Sequence, residues 1–415
     1  MTSSLLETAL PSRLGRSFRW LVASTWVSNI GDGIAVAAGP LLIASETRDP
    51  FLVGMGAMLQ YLPALVFGLH AGAIADRVDR RLLVAFADLC RVLVVAVLVV
   101  TIVTDDVNVA LVLTAMFLLG TAETFADTSY ATLLPMLVAK RDLGIANARL
   151  MGGFVVANQL AGPPIGAFLF GVGRAWPFAA QAVTVALGVV LILRVRLPRH
   201  VLQEEGPSGS IGAEIAAGMR WVLAHPAVRT LVLTILIFNV TFGAAWSVLV
   251  LYSLERLDMG ELGFGLLTSA LAVGGLLGMG GYGWLERHVS LANIMRGGLV
   301  IETLTHLVLA LDRVPWIAMA VMVVFGAHAF VWGTTSSAVR QRAVPLAMQG
   351  RVNSVNRIGT TGGIVIGSLL GSLIAGRWGV VAPFWFAFVG SAVFLVLIWR
   401  SLLHIAHADD EALAS

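Results

Sequence analysis

Twelve runs of predominantly apolar residues, separated by short polar stretches, dominate this sequence. A helix of about 20 apolar residues crosses the hydrocarbon core of a bilayer, and each run has roughly that length. Charged residues make up 12% of the chain and apolar residues 58%, whereas roughly a quarter of the residues of a soluble globular protein are charged. The sequence therefore predicts an all-α membrane protein with twelve transmembrane helices, at about residues 17–44, 51–74, 82–104, 108–133, 146–172, 176–195, 228–252, 261–284, 291–311, 315–338, 353–376 and 380–402.

The basic residues predict the orientation of these spans. If both termini are cytoplasmic, the inner loops collect most of the arginines, including Arg77, Arg80 and Arg81. The first 16 residues lack the apolar core and cleavage site of a removable signal peptide, so the first span is expected to stay in place. We expect a multi-pass protein of the cell membrane whose outer loops carry few arginines, namely Arg48, Arg174, Arg256, Arg313 and Arg377.

The chain is predicted to consist of two related halves. The longest polar segment, 196–227, contains a Gly, Pro and Ser-rich stretch followed by a possible amphipathic helix from Ile211 to Leu223. The predicted organisation is a cytoplasmic N-terminus 1–16, a six-helix bundle 17–195, a linker 196–227, a second six-helix bundle 228–402 and a cytoplasmic tail 403–415. A shift of 210 residues pairs Asn29 with Asn239, Gly33 with Gly243, Asp76-Arg77 with Glu286-Arg287, Pro135 with Pro345, Gly152-Gly153 with Gly362-Gly363, and Gly166 with Gly376. This constant offset indicates an internal duplication.

The loop between the second and third spans reads G-x-x-x-D-R-x-x-R-R, with Gly72, Asp76, Arg77, Arg80 and Arg81 at the fixed positions. This pattern, placed after the second span, resembles the signature loop of the major facilitator superfamily of transporters. Asp79 departs from it, since that family more often has Gly there. The resemblance implies two six-helix bundles with a substrate site between them, and it implies that the loop, together with Asp127, forms a cytoplasmic gate.

A second resemblance lies in the fifth span. Gly162, Pro163 and Gly166 match the G-x-x-x-G-P-x-x-G-G element of the drug–proton antiporters, whereas Asn158 and Ala167 depart from it. Glycine permits close helix contact and proline bends a helix, so this element is expected to bend the span, although ordinary Gly-rich packing is the alternative. The spans, the duplication, the signature loop and the Leu133-Leu-Pro135 ending of the fourth span together resemble the branch that includes macrolide-efflux and enterobactin-exporter-like proteins, over residues 15–402.

Acidic side chains within the spans are the candidates for proton coupling, because a charge in hydrocarbon is costly unless it has a function or a partner. Asp32 lies near the middle of the first span between Gly31 and Gly33, and it is either a proton carrier or a packing residue bonded to a neighbouring helix. Glu123 and Asp127 share one face of the fourth span. We interpret Glu123 as the second coupling candidate and Asp127 as a structural partner of Arg77 or Arg80.

Other ionisable residues of the spans are given structural interpretations. Asp88 and Arg91 are three residues apart and are expected to neutralise each other. Glu302 and His306 are four apart in the ninth span, where a coupling role is a minor alternative. His328 is expected to be a lone packing residue.

The substrate site is expected to contain polar and aromatic residues scattered among the spans. The candidates are Trp26, Asn29, Gln60, Tyr61, Asn158, Gln159, Asn239, Trp246 and Trp332. Without an unpaired cation at the membrane centre, a bulky neutral or cationic amphipathic molecule fits better than an anion.

Several classes of function are not expected. Cys90 is the single cysteine, so no disulfide or metal cluster is predicted, and no other residue spacing suggests a metal site. Lys140 follows no glycine run, so the chain lacks the common ATP-binding loop. The basic residues are scattered between spans, so nucleic acid is not a predicted partner. No cofactor and no enzymatic activity are expected, and the predicted partners of this monomer are a small-molecule substrate, protons and the lipid bilayer.

The leading hypothesis is a secondary active transporter that exports small amphipathic compounds such as drugs, siderophores or secondary metabolites in exchange for protons. Two alternatives remain open: a proton-coupled nutrient importer, and a receptor or scaffold that does not transport.

Overall fold

Helices account for all the regular secondary structure in the part of the chain that the structure describes. The structure is a computed structural model and describes residues 12–197 and 211–402. Ten of its helices are long and apolar enough to cross a membrane, and two shorter apolar helices, Trp176–Ile192 and Ala382–Ile398, complete the set. In chain order the twelve are α1 Arg16–Glu46, α2 Pro50–Ala75, α3 Arg80–Val103, α4 Val109–Leu137, α5 Lys140–Val172, α6 Trp176–Ile192, α7 Pro226–Trp246, α8 Gly260–His288, α9 Leu291–Leu311, α10 Pro315–Ala343, α11 Leu346–Trp378 and α12 Ala382–Ile398. The predicted fold class is confirmed.

Helical backbone satisfies its own hydrogen bonds, which is why such apolar sequences fold as helices in lipid. The ends of several helices are set by local chemistry. The side chain of Asn108 accepts a hydrogen bond from the amide of Leu111 and caps α4, and Ser290 caps α9 in the same way. Proline occupies the first turn of α6, α10 and α12, where its missing N–H costs nothing.

The helices extend further than the predicted apolar runs at several ends. α10 continues to Ala343 and α11 begins at Leu346, so that Arg340, Arg342 and Arg351 are helical. Backbone hydrogen bonding continues past the last apolar residue, and long arginine side chains reach the headgroup region from such helix ends. In contrast, α6 and α12 end at Ile192 and Ile398, a few residues before the predicted ends.

The chain forms two compact units. The first consists of Met1–Glu46, Leu62–Ser208 and Glu261–Ser269, and the second of Thr47–Tyr61, Gly209–Gly260 and Ala270–Ser415. Each unit thus includes most of one half of the chain, while α2 and α8 are each divided between the two. The predicted boundaries at 17–195 and 228–402 stay a prediction, and residues 1–11, 198–210 and 403–415 of the predicted termini and linker lie outside the described residues.

The same packing pattern occurs in each half. In the first half α1 packs on α5 and α6, and α3 packs on α4 and α6. In the second half α7 packs on α11 and α12, and α9 packs on α10 and α12. These are the same pairs shifted by six helices, as the duplication predicts.

Equivalent residues also make equivalent bonds. The side-chain amide of Asn29 donates to the carbonyl of Thr25, and that of Asn239 donates to the carbonyl of Ile235, in each case one turn earlier. A Cβ added to Gly33 would lie 2.5 Å from the carbonyl oxygen of Asn158 on α5, and one added to Gly243 would lie 2.6 Å from a carbonyl oxygen on α11. The pairing of Asn29 with Asn239 and of Gly33 with Gly243 therefore reflects shared geometry as well as shared sequence.

The predicted amphipathic stretch of the linker is helical. The helix Ile211–Ala224 packs against α11, where a Cβ added to Gly218 would lie 2.6 Å from the carbonyl oxygen of Arg351. Val222 is buried while Leu223, one residue further, is exposed. The helix therefore has one packed and one open face.

Candidate functional site

The middle of α1 is held tightly between two neighbouring helices. A Cβ added to Gly31 would overlap the side chain of Thr184 on α6, and one added to Gly33 would overlap the backbone of α5. Glycine is the residue that permits such close helix approach. Asp32, between these two glycines, is therefore fixed at a crowded helix crossing.

Arg91 of α3 joins two carboxylates at this crossing. Its guanidinium pairs with Asp32 of α1 and, at 2.9 Å, with Asp88 one turn earlier on α3. The side chains of Arg91 and Asp88 are 5% and 0% exposed, whereas that of Asp32 is 16% exposed. When all three groups are ionised, the cluster has a net charge of −1. Of the two carboxylates, that of Asp32 is the more exposed.

The cluster continues through hydroxyl groups to two more helices. Tyr130 of α4 donates to Asp88 at 3.3 Å, and its hydroxyl lies 3.1 Å from that of Ser24 on α1. Ser24 in turn donates to the carbonyl of Gly188 on α6 at 2.8 Å. Both carboxylate oxygens of Asp88 thus have a hydrogen-bond partner, which suits a fixed structural carboxylate better than a mobile proton carrier.

Glu123 lies beside this cluster. Its charge interacts with those of Arg91, Asp88 and Asp127, and also with that of Asp32. Asp127 is exposed, one turn closer to the C-terminal end of α4. The two acids of α4 therefore form a row that leads from Asp32 toward the C-terminal end of α4.

The loop between α2 and α3 is organised by its two acids. Arg80 donates to Asp76 at 3.0 Å and to the carbonyl of Ala75 at 3.1 Å. Asp79 caps α3 by accepting from the amide of Arg81 at 2.9 Å, and Arg81 also reaches the carbonyl of Val195 at 3.0 Å. The residue that departs from the family pattern thus has a local role as the helix cap. A Cβ added to Gly72 would meet nothing within 4 Å, so packing within the described residues does not require glycine there.

The predicted bend of α5 coincides with an irregular segment. Residues Phe154–Ala161 have π-helical geometry and lie directly before Gly162. A Cβ added to Gly162 would overlap the backbone of Gly33, and one added to Gly166 would overlap that of Ile34. π-Helical turns are rare and recur at functional sites.

The second unit contains a cavity of about 430 Å³. Its wall is formed by α7, α8, α9, α10 and α11, and four aromatic rings contribute to it, those of Phe238, Phe242, Phe325 and Trp332. The polar or charged lining residues include Asn239, Glu302, His328, Ser336, Arg340 and Asn356. Glu302 is buried and its Oε2 lies 3.2 Å from Nε2 of His328 on the neighbouring helix.

Comparison with known proteins gives the family. A model described as "Transmembrane secretion effector", of the MFS_3 group, matches residues 10–415. The chain belongs to the major facilitator superfamily. The sequence-based recognition is thereby confirmed, and the chain is a multi-pass membrane transporter.

This transporter resembles several exporters in sequence. It is 30% identical to the multidrug efflux pump Tap of Mycolicibacterium fortuitum over 78% of this chain and 81% of that protein. It is 23% identical to macrolide efflux protein A of Streptococcus pyogenes over 92% of this chain and 94% of that protein. The enterobactin exporter EntS of Escherichia coli K12 is 26% identical over 96% of this chain and 95% of that protein.

Solved structures share the fold of this transporter. The structure of a POT family transporter in complex with 5-aminolevulinic acid matches with a TM-score of 0.75 and 15% identity, over 93% of this chain and 96% of that one. The inward-facing structure of a bacterial homologue of the iron transporter ferroportin matches with a TM-score of 0.71 and 15% identity, over 94% and 98%.

The structure brings together some of the predicted substrate residues of the transporter. Asn239 and Trp332 both line the cavity of the second unit, and Trp246 lines a smaller adjacent cavity. Trp26 instead donates to the carbonyl of Arg149 at 3.0 Å, which gives it a structural bond. Gln159 accepts from Ser269 through its backbone at 3.4 Å. The predicted grouping of Gln60 and Tyr61 with Asn29 and Asn239, and the inclusion of Asn158, stay predictions.

Two pairings in the transporter differ from those expected. Asp88 and Arg91 do pair, but the guanidinium also holds Asp32, 59 residues away. Glu302 bonds to His328 instead of forming a pair with His306, so the expectation that His328 is a lone packing residue is wrong. Each missed partner is an oppositely charged or titratable residue of another span. A search for such residues at similar depth in different spans would have suggested both pairs.

Proposed function

We propose that the protein exports small amphipathic compounds, such as drugs, siderophores or secondary metabolites, in exchange for protons. The proposal is supported by the family and by sequence similarity to a multidrug efflux pump, a macrolide efflux protein and an enterobactin exporter. The transporter works as a monomer in the cell membrane with both termini in the cytoplasm, and it alternates between states in which its substrate site is open to one side or the other.

The observation that carries the proton coupling is the unequal charge of the buried cluster around Arg91. One guanidinium faces two carboxylates, Asp32 and Asp88. Excess charge in a low-dielectric interior is costly, so a proton that binds to one carboxylate stabilises the cluster. Asp32 is that carboxylate, because Asp88 is fully buried and already bonded to Tyr130.

Proton binding at Asp32 weakens its ion pair with Arg91 and changes how α1 is held against α3. The guanidinium then remains paired with Asp88 alone. Glu123 passes protons between Asp32 and the inner face of the membrane. Proton binding and release at Asp32 thus weaken and restore the ion pair between α1 and α3 in turn. This ion pair couples protons to the conformational change.

The remaining predicted elements act on the conformational change itself. The loop of Gly72, Asp76, Arg77, Arg80 and Arg81, with Asp127, acts as the cytoplasmic gate. The irregular segment before Gly162, with Pro163 and Gly166, lets α5 bend where it contacts α1. The candidate substrate residues line the route between the two sides.

Replacement of Asp32 by Asn tests the proposal. The amide cannot carry a proton, yet Arg91 and Asp88 still neutralise each other, so the fold is expected to be retained. In energised inverted vesicles the wild-type transporter should release lumenal protons when a macrolide, a cationic dye or a catecholate siderophore is added. Asp32→Asn is expected to lose this release and the associated uptake while it is expressed at the wild-type level.

The matched control is Asp106→Asn, the same substitution in the exposed loop before α4, which should transport like the wild type. Unchanged proton-driven uptake by Asp32→Asn would contradict the coupling role. The same vesicles separate the alternatives, because a symporter would not load substrate under these conditions and a receptor or scaffold would move neither substrate nor protons.

A further inference from the structure

A cavity of about 570 Å³ lies at one end of the first unit, where the N-terminal ends of α1 and α3 meet the residues that follow α6. α1 and α3 both pack on α6, which brings these three ends together. In the predicted orientation this is the cytoplasmic end of the unit. Four arginines line the cavity, together with two residues of α1: Arg16, Arg81, Arg194, Arg196, Ser17 and Trp20. We call it the arginine cavity.

Hydrogen bonds to the backbone hold this end of the unit together. The hydroxyl of Ser17 donates to the carbonyl of Arg196 at 3.1 Å and accepts from its amide at 3.2 Å. The carbonyl of Val195 accepts from Nη1 of Arg81 at 3.0 Å. Val195 is buried, whereas Arg194 and Arg196 on either side of it are exposed. The packing of Val195 therefore leaves both neighbouring arginines at the cavity.

The positive charge of the arginine cavity is poorly balanced. Arg81 pairs with Asp79 at 3.4 Å. Within residues 12–197 and 211–402, no carboxylate forms an ion pair with Arg16, Arg194 or Arg196. These four arginines and one acid have a net charge of +3. Because arginine stays protonated in proteins, an anion is needed to balance them.

Two further features favour an anion at this place. Nε of Arg81 is buried and makes no hydrogen bond within the part of the chain that the structure describes. Buried polar atoms are normally hydrogen-bonded, so a ligand could supply this partner. In addition, the first turn of α1 contains no acidic residue, and Gly15 before it has no side chain that could cap the helix. The free amides of such a turn add positive potential.

We propose that the arginine cavity binds a phosphate group, carried either by an anionic phospholipid or by a soluble phosphate compound. The planar guanidinium group of arginine binds two oxygens of a phosphate at once. A volume of about 570 Å³ is within the roughly 300–1,000 Å³ usual for small-molecule sites. The bound phosphate is not the transported substrate, and it links the ends of α1, α3 and α6.

The edge of the arginine cavity suits a lipid in particular. Leu193 lines it and is 46% exposed. The guanidinium carbon of Arg194 lies 4.9 Å from the centre of the Trp20 ring, and this contact places a charge directly beside an aromatic surface. Basic pockets between membrane helices recognise anionic lipid headgroups in this way, with the phosphate at the arginines and the acyl chains along apolar side chains.

The test uses three probes: phosphatidylglycerol, phosphatidylcholine with the same acyl chains, and inorganic phosphate. The full-length transporter is purified in a neutral detergent and freed of lipid. Its melting temperature is followed as each probe is added, and native mass spectrometry counts the bound lipids. A ligand that binds only the folded state raises the melting temperature. Phosphatidylglycerol is expected to do so, phosphatidylcholine is not, and added NaCl should weaken the effect.

The same titrations identify the source of the phosphate group. Stabilisation by phosphatidylglycerol without stabilisation by inorganic phosphate would assign the cavity to a lipid headgroup. Stabilisation by millimolar inorganic phosphate that is lost in the arginine variants would assign it to a soluble phosphate compound. Either result supports the proposal.

Variants at the exposed arginines locate the site. The double variant Arg194→Gln/Arg196→Gln should bind phosphatidylglycerol about tenfold or more weakly, because two charge-assisted hydrogen bonds are lost. Arg196→Lys keeps the charge but not the planar donor group, so its affinity should lie between those of the wild type and the double variant. The matched control is Arg141→Gln, which removes one charge at an 89% exposed position outside the cavity and should change the affinity no more than about twofold.

If the double variant does not fold, Arg196→Gln alone replaces it and should still lose more affinity than Arg141→Gln. The inference is overturned if neither phosphatidylglycerol nor inorganic phosphate binds to the wild type, or if phosphatidylcholine binds as tightly as phosphatidylglycerol. It is also overturned if Arg141→Gln loses as much affinity as the variants of the cavity, since lipid binding would then follow overall surface charge.

Discussion

Arg91 is the residue on which the buried charge of the first unit depends. It is the shared partner of Asp32 and Asp88, and its side chain is 5% exposed. Removal of one partner from a buried ionic cluster leaves the others uncompensated, which costs far more than the intact cluster contributes. At the residue scale, therefore, Arg91 links α3 to α1 through Asp32 and neutralises Asp88 on its own helix.

Replacement of Arg91 by Met should destabilise the protein by about 3–5 kcal/mol, because two carboxylates are left buried without a counter-charge. Thermal unfolding in detergent, followed by size-exclusion chromatography of a fluorescent fusion, measures the loss. Arg141→Met is the control, since the side chain of Arg141 is 89% exposed and its change should shift stability by no more than about 0.5 kcal/mol. Equal melting temperatures for the two variants would show that the cluster does not hold the fold.

At the scale of elements, the contact between α1 and α5 positions the charged cluster. Gly33 and Gly162 face each other at the crossing, and neither position has room for a Cβ. The irregular Phe154–Ala161 segment of α5 lies directly before Gly162. Asp32 therefore lies on a helix that approaches α5 closely, because the two facing residues, Gly33 and Gly162, have no side chains.

Gly162→Ala is expected to destabilise the protein by about 1–3 kcal/mol, because the added methyl group overlaps the backbone of Gly33. Gly171→Ala provides the matched control on the same helix, since a Cβ there would meet nothing within 4 Å. Melting temperatures of the two variants measure the difference. If Gly162→Ala melts at the same temperature as Gly171→Ala or higher, the contact between α1 and α5 has room for a methyl group.

At the scale of the whole molecule, the described residues contain twelve apolar helices, α1 to α12, whose packing repeats after six. The pairs α1–α5 and α7–α11, and likewise α3–α4 and α9–α10, repeat the same packing. An even number of spans places both chain ends on one side of the membrane.

A tag at Met1 and a fluorescent protein after Ser415 should therefore both report the cytoplasm. Protease protection in right-side-out and inverted vesicles measures this, and a tag inserted in the loop at Asp105-Asp106 should report the opposite side. Tags at the two termini on opposite sides would exclude twelve crossings and with them the equivalence of the halves.

Local patterns in the sequence determined the helices, their number, the duplication and the family. Hydropathy over 20 residues is enough to predict a membrane helix, since in lipid the backbone must satisfy itself within the segment. The motif of Asp76 and Arg80 and the constant offset from Asn29 to Asn239 are likewise contained in the order of residues. The pattern did not reveal that Asp79 would act as the cap of α3, although Asp is a common capping residue.

Only the tertiary structure decided which charges meet. Asp32 reaches Arg91 across 59 residues, and Glu302 reaches His328 across 26. These pairs depend on the rotation of each helix about its axis and on which helices are neighbours. A small change in either moves a side chain beyond hydrogen-bonding distance of its partner. Helical periodicity specifies which residues share a face of one helix. Which helix that face contacts is decided by the packing of the whole unit, and so the ion pairs and hydrogen bonds between spans could be identified only from the tertiary structure.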